Sequence, residues 1–198
     1  MPVFSKGNFS VNLGFVSFGG DFDETDRQCA WELYCEIITR VAVIGKEDEH
    51  GQLLFTGEVL AESLESLHRF VAEARTLMRR YPVGRLTPGR DPDHLGFFIG
   101  GLLEVVIRPF LEKWQAVYRH WWEHQSDASL APFERQDQFP GDQEMREDWN
   151  RLRRFCRDSA GELAKRYALP DIGALSPPRL RQTWLDETRR VVATQSAN

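Results

Sequence analysis

The sequence lacks the features that define several special classes of protein. Only three of its 198 residues are cysteines, and the chain does not begin with the charged and then apolar pattern of a secretory signal. A small, odd number of thiols argues against a disulfide scaffold and indicates a reducing cytoplasm. The longest apolar stretch, residues 95–107, has 13 residues and contains Glu104, whereas a membrane-spanning helix needs about 20. The sequence therefore predicts no transmembrane span.

The sequence also has fewer basic than acidic residues. The chain has 25 Lys and Arg against 30 Asp and Glu, which gives a formal net charge of −5. This balance argues against general nucleic-acid binding, because such affinity comes from neutralising phosphates. Phosphate-binding loops, dinucleotide-binding glycine motifs, serine-hydrolase elbows and C-x-x-C pairs are absent from the sequence. The 41% hydrophobic and 28% charged composition is that of one ordinary globular domain spanning residues 1–198.

Apolar spacing predicts an all-α bundle of four to five helices with a short N-terminal strand or hairpin element. Residues 95–107 are apolar on nearly every side, so we expect this stretch to be the central helix, wrapped by its neighbours. Pro109 then predicts a kink or break. The predicted helices cover residues 25–43, 58–80, 93 onward, 142–167 and 177 onward, with a frayed tail at 194–198.

The predicted strand lies in an N-terminal arm, residues 1–22. Polar and apolar residues alternate over residues 8–15, and the only other short strand candidate is residues 52–56. We therefore expect these two segments to form the small β element. Residues 45–51 are polar and charged, and they are predicted to be a loop.

Two motifs could carry chemistry. His120, Glu123 and His124 have the H-x-x-E-H spacing of a zinc-peptidase motif, in which two imidazoles on one helix face bind the metal and the carboxylate activates water. A zinc-dependent hydrolase is therefore one alternative, although a third ligand cannot be named. Otherwise these are ordinary side chains on a helix rim.

The second motif, Asp21 to Thr25, is similar to the D-x-D-x-T phosphotransfer motif of haloacid-dehalogenase-type phosphatases. Those enzymes need several parallel strands downstream, which this chain does not offer. An acidic first turn of a helix is the simpler interpretation of the motif.

Several short sequence segments resemble those of an uncharacterised bacterial family of all-helical accessory proteins found beside conflict or phage-defence genes. The resemblance covers about residues 9–125, and it implies a helical fold and no catalytic residues. The segments are Ala30-Trp31-Glu32-Leu33-Tyr34 with Thr39-Arg40, Leu67-His68-Arg69-Phe70 with Met78-Arg79-Arg80, and Arg108-Pro109-Phe110-Leu111-Glu112-Lys113-Trp114 with Trp122-Glu123.

We therefore expect a non-enzymatic interaction or regulatory subunit of a multi-component bacterial system that binds a protein partner or a second copy of itself. The expected contact regions are loops 81–92 and 125–143 and the C-terminal helix at 177–198. The expected partner-binding residues are Trp122, Arg153, Arg157 and Trp184, since aromatic and arginine side chains are favoured at interfaces. Arg146, Arg153 and Arg157 could alternatively form a solvated helix face.

A second alternative for the function is membrane association through residues 95–107, whose Gly96 and Gly100 form a G-x-x-x-G pattern.

Overall fold

The computed structural model describes residues 24–48, 50–81 and 95–170, and over these residues the protein is an all-α bundle with one small hairpin. The predicted fold class is confirmed. The predictions for the N-terminal arm, for residues 82–92 and for the C-terminal helix with Trp184 lie outside the described residues. The elements are α1 (Glu24–Thr39), α2 (Val41–Ile44), β1 (Lys46–Glu47), β2 (Leu53–Leu54), α3 (Leu60–Arg80), α4 (Leu95–Gly101), a π-helical segment (Leu102–Ile107), α5 (Arg108–His124), α6 (Pro132–Gln136) and α7 (Asp142–Arg166).

The first predicted helix is broken near its end. Arg40 adopts an extended backbone (φ −97°, ψ 110°), which separates α1 from the single turn of α2. The break places the Ala42 carbonyl against α7, where Trp149 Nε1 donates a hydrogen bond to it over 2.7 Å. Local apolar spacing continues through this region, so the break depends on the packing of α2 against other helices, including α3 and α7.

The small hairpin involves the predicted strand segment 52–56, whose expected partner, residues 8–15, lies outside the described residues. The candidate segment 52–56 does contain a strand, but β2 pairs antiparallel with β1, in the register Lys46 to Leu54 and Glu47 to Leu53. The predicted loop 45–51 is therefore the first strand and the turn. The Asp48 carboxylate closes this turn by accepting hydrogen bonds from the backbone N–H groups of His50 (2.9 Å) and Gln52 (2.8 Å).

The central helical stretch is continuous through the predicted break at Pro109. Ile107 and Arg108 both have right-handed helical backbone angles, and the Arg108 N–H donates to the Leu103 carbonyl, five residues earlier. Pro109 has no N–H to bond the Val105 carbonyl and would crowd it in a regular α-helix. The wider π-helical turns come directly before the proline, so the irregularity is a widened helix rather than an end.

Burial of this stretch is one-sided. Leu95, Ile99, Leu102, Leu103 and Ile107 are core residues, and the π-helical segment contacts α3, α5 and α7. On the other side Phe97 and Val105 are 59% and 45% exposed. The stretch is thus a core helix on one face and does not match the expected helix wrapped on nearly every side. No helix within the described ranges is long and apolar enough to cross a membrane.

The segment 125–143 is more ordered than the loop we expected. It contains α6, and Gln136 and Phe139 are buried within it. The Gln136 side chain accepts a hydrogen bond from the Leu60 N–H and donates one to the Glu58 carbonyl, both over 2.9 Å. Gln136 thereby satisfies backbone groups at the start of α3, where no neighbouring side chain caps the helix.

Candidate functional site

A groove lies between α3 and α5, with a volume of about 680 Å³. Both helices are amphipathic, and each buries one apolar stripe in the core while its flanking residues remain at the surface. The groove is lined from α3 by Glu65, His68, Val71 and Arg75, and from the π-helical segment and α5 by Leu103, Arg108, Leu111, Glu112, Gln115, Ala116 and Arg119.

The floor of the groove is apolar and its edges are charged. Val71, Leu103 and Leu111 are buried to 9% exposure or less, so they form the floor. Arg75 and Arg119 are exposed and make no hydrogen bond or ion pair with other described residues. Both guanidinium groups are thus available to an anionic partner.

Two further charges at the groove are already paired along their own helices. Glu65 bonds Arg69 at 2.5 Å, one turn further along α3, and Arg108 pairs with Glu104 in the same way. Such exposed pairs contribute little stability and are readily exchanged for contacts with another molecule.

The H-x-x-E-H residues lie together on the last two turns of α5, on the surface. The rings of His120 and His124 are stacked, with centroids 4.9 Å apart and planes 26° apart. Glu123 Oε2 lies 4.0 Å from His124 Nδ1. Across residues 24–48, 50–81 and 95–170, no group of three or more His, Cys, Asp or Glu is arranged to hold a metal ion. Among these residues the H-x-x-E-H motif therefore lacks the third ligand that the predicted hydrolase requires.

Arg153 does not face a partner, and that prediction is wrong. Its side chain is fully buried, and Nη2 lies 2.6 Å from Glu58 Oε2, whose side chain is 4% exposed. Its guanidinium carbon lies 4.2 Å from the centre of the Phe55 ring. Burial lowers the pKa of the Arg153 guanidinium and the attraction of Glu58 opposes this shift. The side chain is a structural link between α7 and the start of α3, and the alternative of a solvated arginine face fails for the same reason.

The Arg157 side chain also makes its contacts within the chain. It donates hydrogen bonds to the Ile44 carbonyl over 2.6 Å and to the Gly45 carbonyl over 3.2 Å, and it pairs with Glu47 at 2.8 Å. It thus satisfies the C-terminal carbonyls of α2 and holds the hairpin against α7. Only 27% of its side chain is exposed.

Trp122 is partly buried and is engaged within the chain. Its ring stacks on Tyr118 at a centroid distance of 5.9 Å, and the Arg135 guanidinium lies 3.9 Å above it. Arg135 also donates to the Trp122 carbonyl and to Ser126 Oγ. These contacts join α5 to α6, so Trp122 contributes to the packing of the 125–143 segment.

The three cysteines are not activated thiols. Burial, with the nearby Asp26 and Glu32 carboxylates, raises the pKa of Cys29 to about 12. Burial likewise raises the pKa of Cys156 to about 12, and burial with nearby carboxylates raises that of Cys35. Because the thiolate is the nucleophilic form, these side chains are poor nucleophiles at neutral pH.

Sequence reasoning missed the residues that form the groove. Arg75 and Arg119 lie beside recognisable apolar stripes, but nothing in either helix shows that the two stripes pack side by side. Comparison with family models, with curated proteins and with solved structures found no match to this chain.

Proposed function

We propose that this protein is a non-enzymatic interaction or regulatory subunit of a multi-component bacterial system, and that the groove between α3 and α5 binds a helix of its partner. The single observation that supports the proposal is the groove itself, a cleft of about 680 Å³ with an apolar floor and with two arginines at its edges, Arg75 and Arg119, that have no partner among the described residues. The resemblance to accessory proteins found beside phage-defence genes supports placing the system in anti-phage defence.

The groove has an apolar floor and three arginines against two glutamates, Glu65 and Glu112, in its lining, and this balance favours one kind of partner segment. An amphipathic helix binds such a groove by placing apolar side chains at i, i+3, i+4 and i+7 onto the floor. Acidic residues flanking that apolar face would pair with Arg75 and Arg119, which lack partners among the described residues. The proposed partner segment is therefore an amphipathic helix with Asp or Glu beside its apolar face.

The test is site-specific photo-crosslinking in the native host. A photoreactive residue replaces Gln115, which lines the groove, and the adduct is mapped by mass spectrometry. We expect one main protein adduct, joined through an acidic amphipathic helical segment. Introducing Ala116→Arg should block the groove and reduce that adduct by about tenfold or more, as expected when a central interface contact is lost.

Val117→Arg is the matched control, because Val117 is 54% exposed on the same helix but does not line the groove. It should leave the adduct intact, and Arg75→Glu combined with Arg119→Glu should weaken it. An adduct that persists with Ala116→Arg, or that maps to a segment with neither acidic residues nor an apolar face, would contradict the proposal.

A further inference from the structure

The two histidines at the end of α5 lie side by side on the surface. His120 and His124 are four residues apart, so their side chains project from the same helix face. Their rings are stacked at 4.9 Å, and both residues are exposed. Rotation of the two side chains can bring one nitrogen of each ring to a common ion, because positions i and i+4 share a helix face.

The ligand type restricts the metal. Imidazole nitrogen suits borderline ions such as Zn²⁺ and Cu²⁺, whereas Mg²⁺ and Ca²⁺ prefer oxygen ligands. Two histidines fill two of the four positions of a tetrahedral Zn²⁺ ion, and water can fill the others. The Glu123 carboxylate, 4.0 Å from His124 Nδ1, adds a negative charge that attracts a cation to this end of the helix.

We propose that His120 and His124 form a surface binding site for Zn²⁺, with both imidazoles as ligands and the remaining coordination positions open to water. This site is independent of the groove, since neither histidine lines it. It also requires no catalysis, because a hydrolase would need a third protein ligand to hold the ion. A second histidine on the same helix face increases the affinity for zinc, because once one imidazole has bound the ion the second metal–nitrogen bond forms within the same molecule.

The experiment is a titration of the full chain with ZnCl₂, followed by calorimetry and by NMR of carbon-13-labelled histidine side chains. We expect one zinc ion per chain, with the His120 and His124 ring signals changing together. His50 and His68 serve as internal references, because both are exposed and neither has a second histidine one turn away in the described structure.

A relocation variant supplies the decisive control. His124→Gln combined with Gln125→His keeps the number of histidines but places the second one five residues from the first, one residue past the end of α5. We expect this variant to lose about tenfold or more of the zinc affinity, because bidentate binding is lost. His68→Ala should retain it.

Circular dichroism checks that the helix content of the variants is unchanged, which is expected because all the altered side chains are exposed. The proposal fails if wild-type protein shows no coupled change of the two ring signals at millimolar zinc. It also fails if the relocation variant binds zinc as tightly as the wild type.

Discussion

Gly45 is the position where a single residue most constrains the fold. Its φ of +69° lies in the left-handed region, and a Cβ built there would lie 2.8 Å from Arg153 Cδ and 3.0 Å from Leu53 Cδ2. Glycine is therefore required both by the backbone angle and by the close approach of α7 to the hairpin. The buried Arg153 cannot move away without breaking its pair with Glu58.

Gly45→Ala is expected to lower the free energy of unfolding by about 2–4 kcal/mol, which combines left-handed backbone strain with the steric clash. Gly51→Ala is the matched control, because Gly51 has φ +74° but nothing within 4 Å of its added Cβ. Gly51→Ala should lower the free energy of unfolding only through the backbone strain of a non-glycine residue at positive φ, which is about 1–2 kcal/mol. Urea unfolding of the two variants measures the difference, and equal losses would show that the clash with Arg153 is relieved without cost.

At the scale of elements, the Glu58–Arg153 pair joins the start of α3 to the middle of α7. Arg153 Nη2 donates to Glu58 Oε2, and Ser63 Oγ donates to the same oxygen over 3.2 Å. Gln136 of α6 adds a hydrogen bond to the Glu58 carbonyl. Three helices therefore meet at one buried carboxylate residue, and removing either charge leaves the other uncompensated.

We expect Arg153→Met alone to destabilise the fold by about 3–5 kcal/mol, because the Glu58 carboxyl group remains buried without its partner. Adding Glu58→Leu should recover part of this loss, since the double variant contains no unpaired buried charge. The denaturant midpoints of both single variants and the double variant give the coupling between the residues.

Arg69→Met is the control for this prediction. Arg69 and Glu65 form an exposed pair, with 67% and 59% of their side chains accessible, and its loss should change stability by no more than about 0.5 kcal/mol. A double variant of Glu58 and Arg153 that is less stable than both single variants would contradict the interpretation of the pair as a compensated buried charge.

The central helical stretch shows which local features of the elements were predictable. Its apolar composition and the disturbance near Pro109 follow from the residue types and the missing proline N–H. The form of the disturbance, a π-helical segment before a continuous α5, depends on how the segment packs against α3, α5 and α7. Similarly, α3 was predicted to within two residues, because its buried stripe is regular along its whole length.

At the scale of the whole molecule, a cluster of polar side chains joins α5 to α7 through hydrogen bonds. The Asp148 side chain, 10% exposed, accepts hydrogen bonds from Lys113 Nζ (2.7 Å) and Trp114 Nε1 (2.9 Å), and Arg151 also donates to it. Burial by itself would raise the pKa of Asp148, but the hydrogen bonds from Lys113, Trp114 and Arg151 outweigh it and hold the pKa below the ordinary value of 3.8.

This cluster predicts a pH dependence of stability. Because the native pKa of Asp148 is lowered, its stabilising contribution is present above the unfolded value of 3.8 and is lost as the pH falls through the native value. Asp148→Asn should cost about 1–3 kcal/mol at pH 7, from the loss of charge-assisted hydrogen bonds. The free energies of unfolding of wild type and variant should differ by a constant amount above about pH 5 and should converge as the pH falls from 3.8 toward the lower native pKa of Asp148.

Glu144→Gln is the control, because Glu144 also contacts Lys113 at 2.7 Å but is 65% exposed. Glu144→Gln should leave the pH dependence of the free energy of unfolding nearly unchanged. A wild-type and Asp148→Asn difference that stays constant down to pH 2 would show that the carboxylate charge contributes no stability.

The sequence by itself determined the helical class, the main helix positions and the one-sided burial of α3, because these depend on periodic apolar spacing within single segments. It also placed His120 and His124 on one helix face, since four residues make about one turn. Only the tertiary structure decided that Arg153 is buried, that Lys46–Glu47 pairs with Leu53–Leu54, and that α3 and α5 enclose a groove. Each of these depends on contacts between segments distant in the chain, and the pattern within one segment contains no information about which other segment it meets.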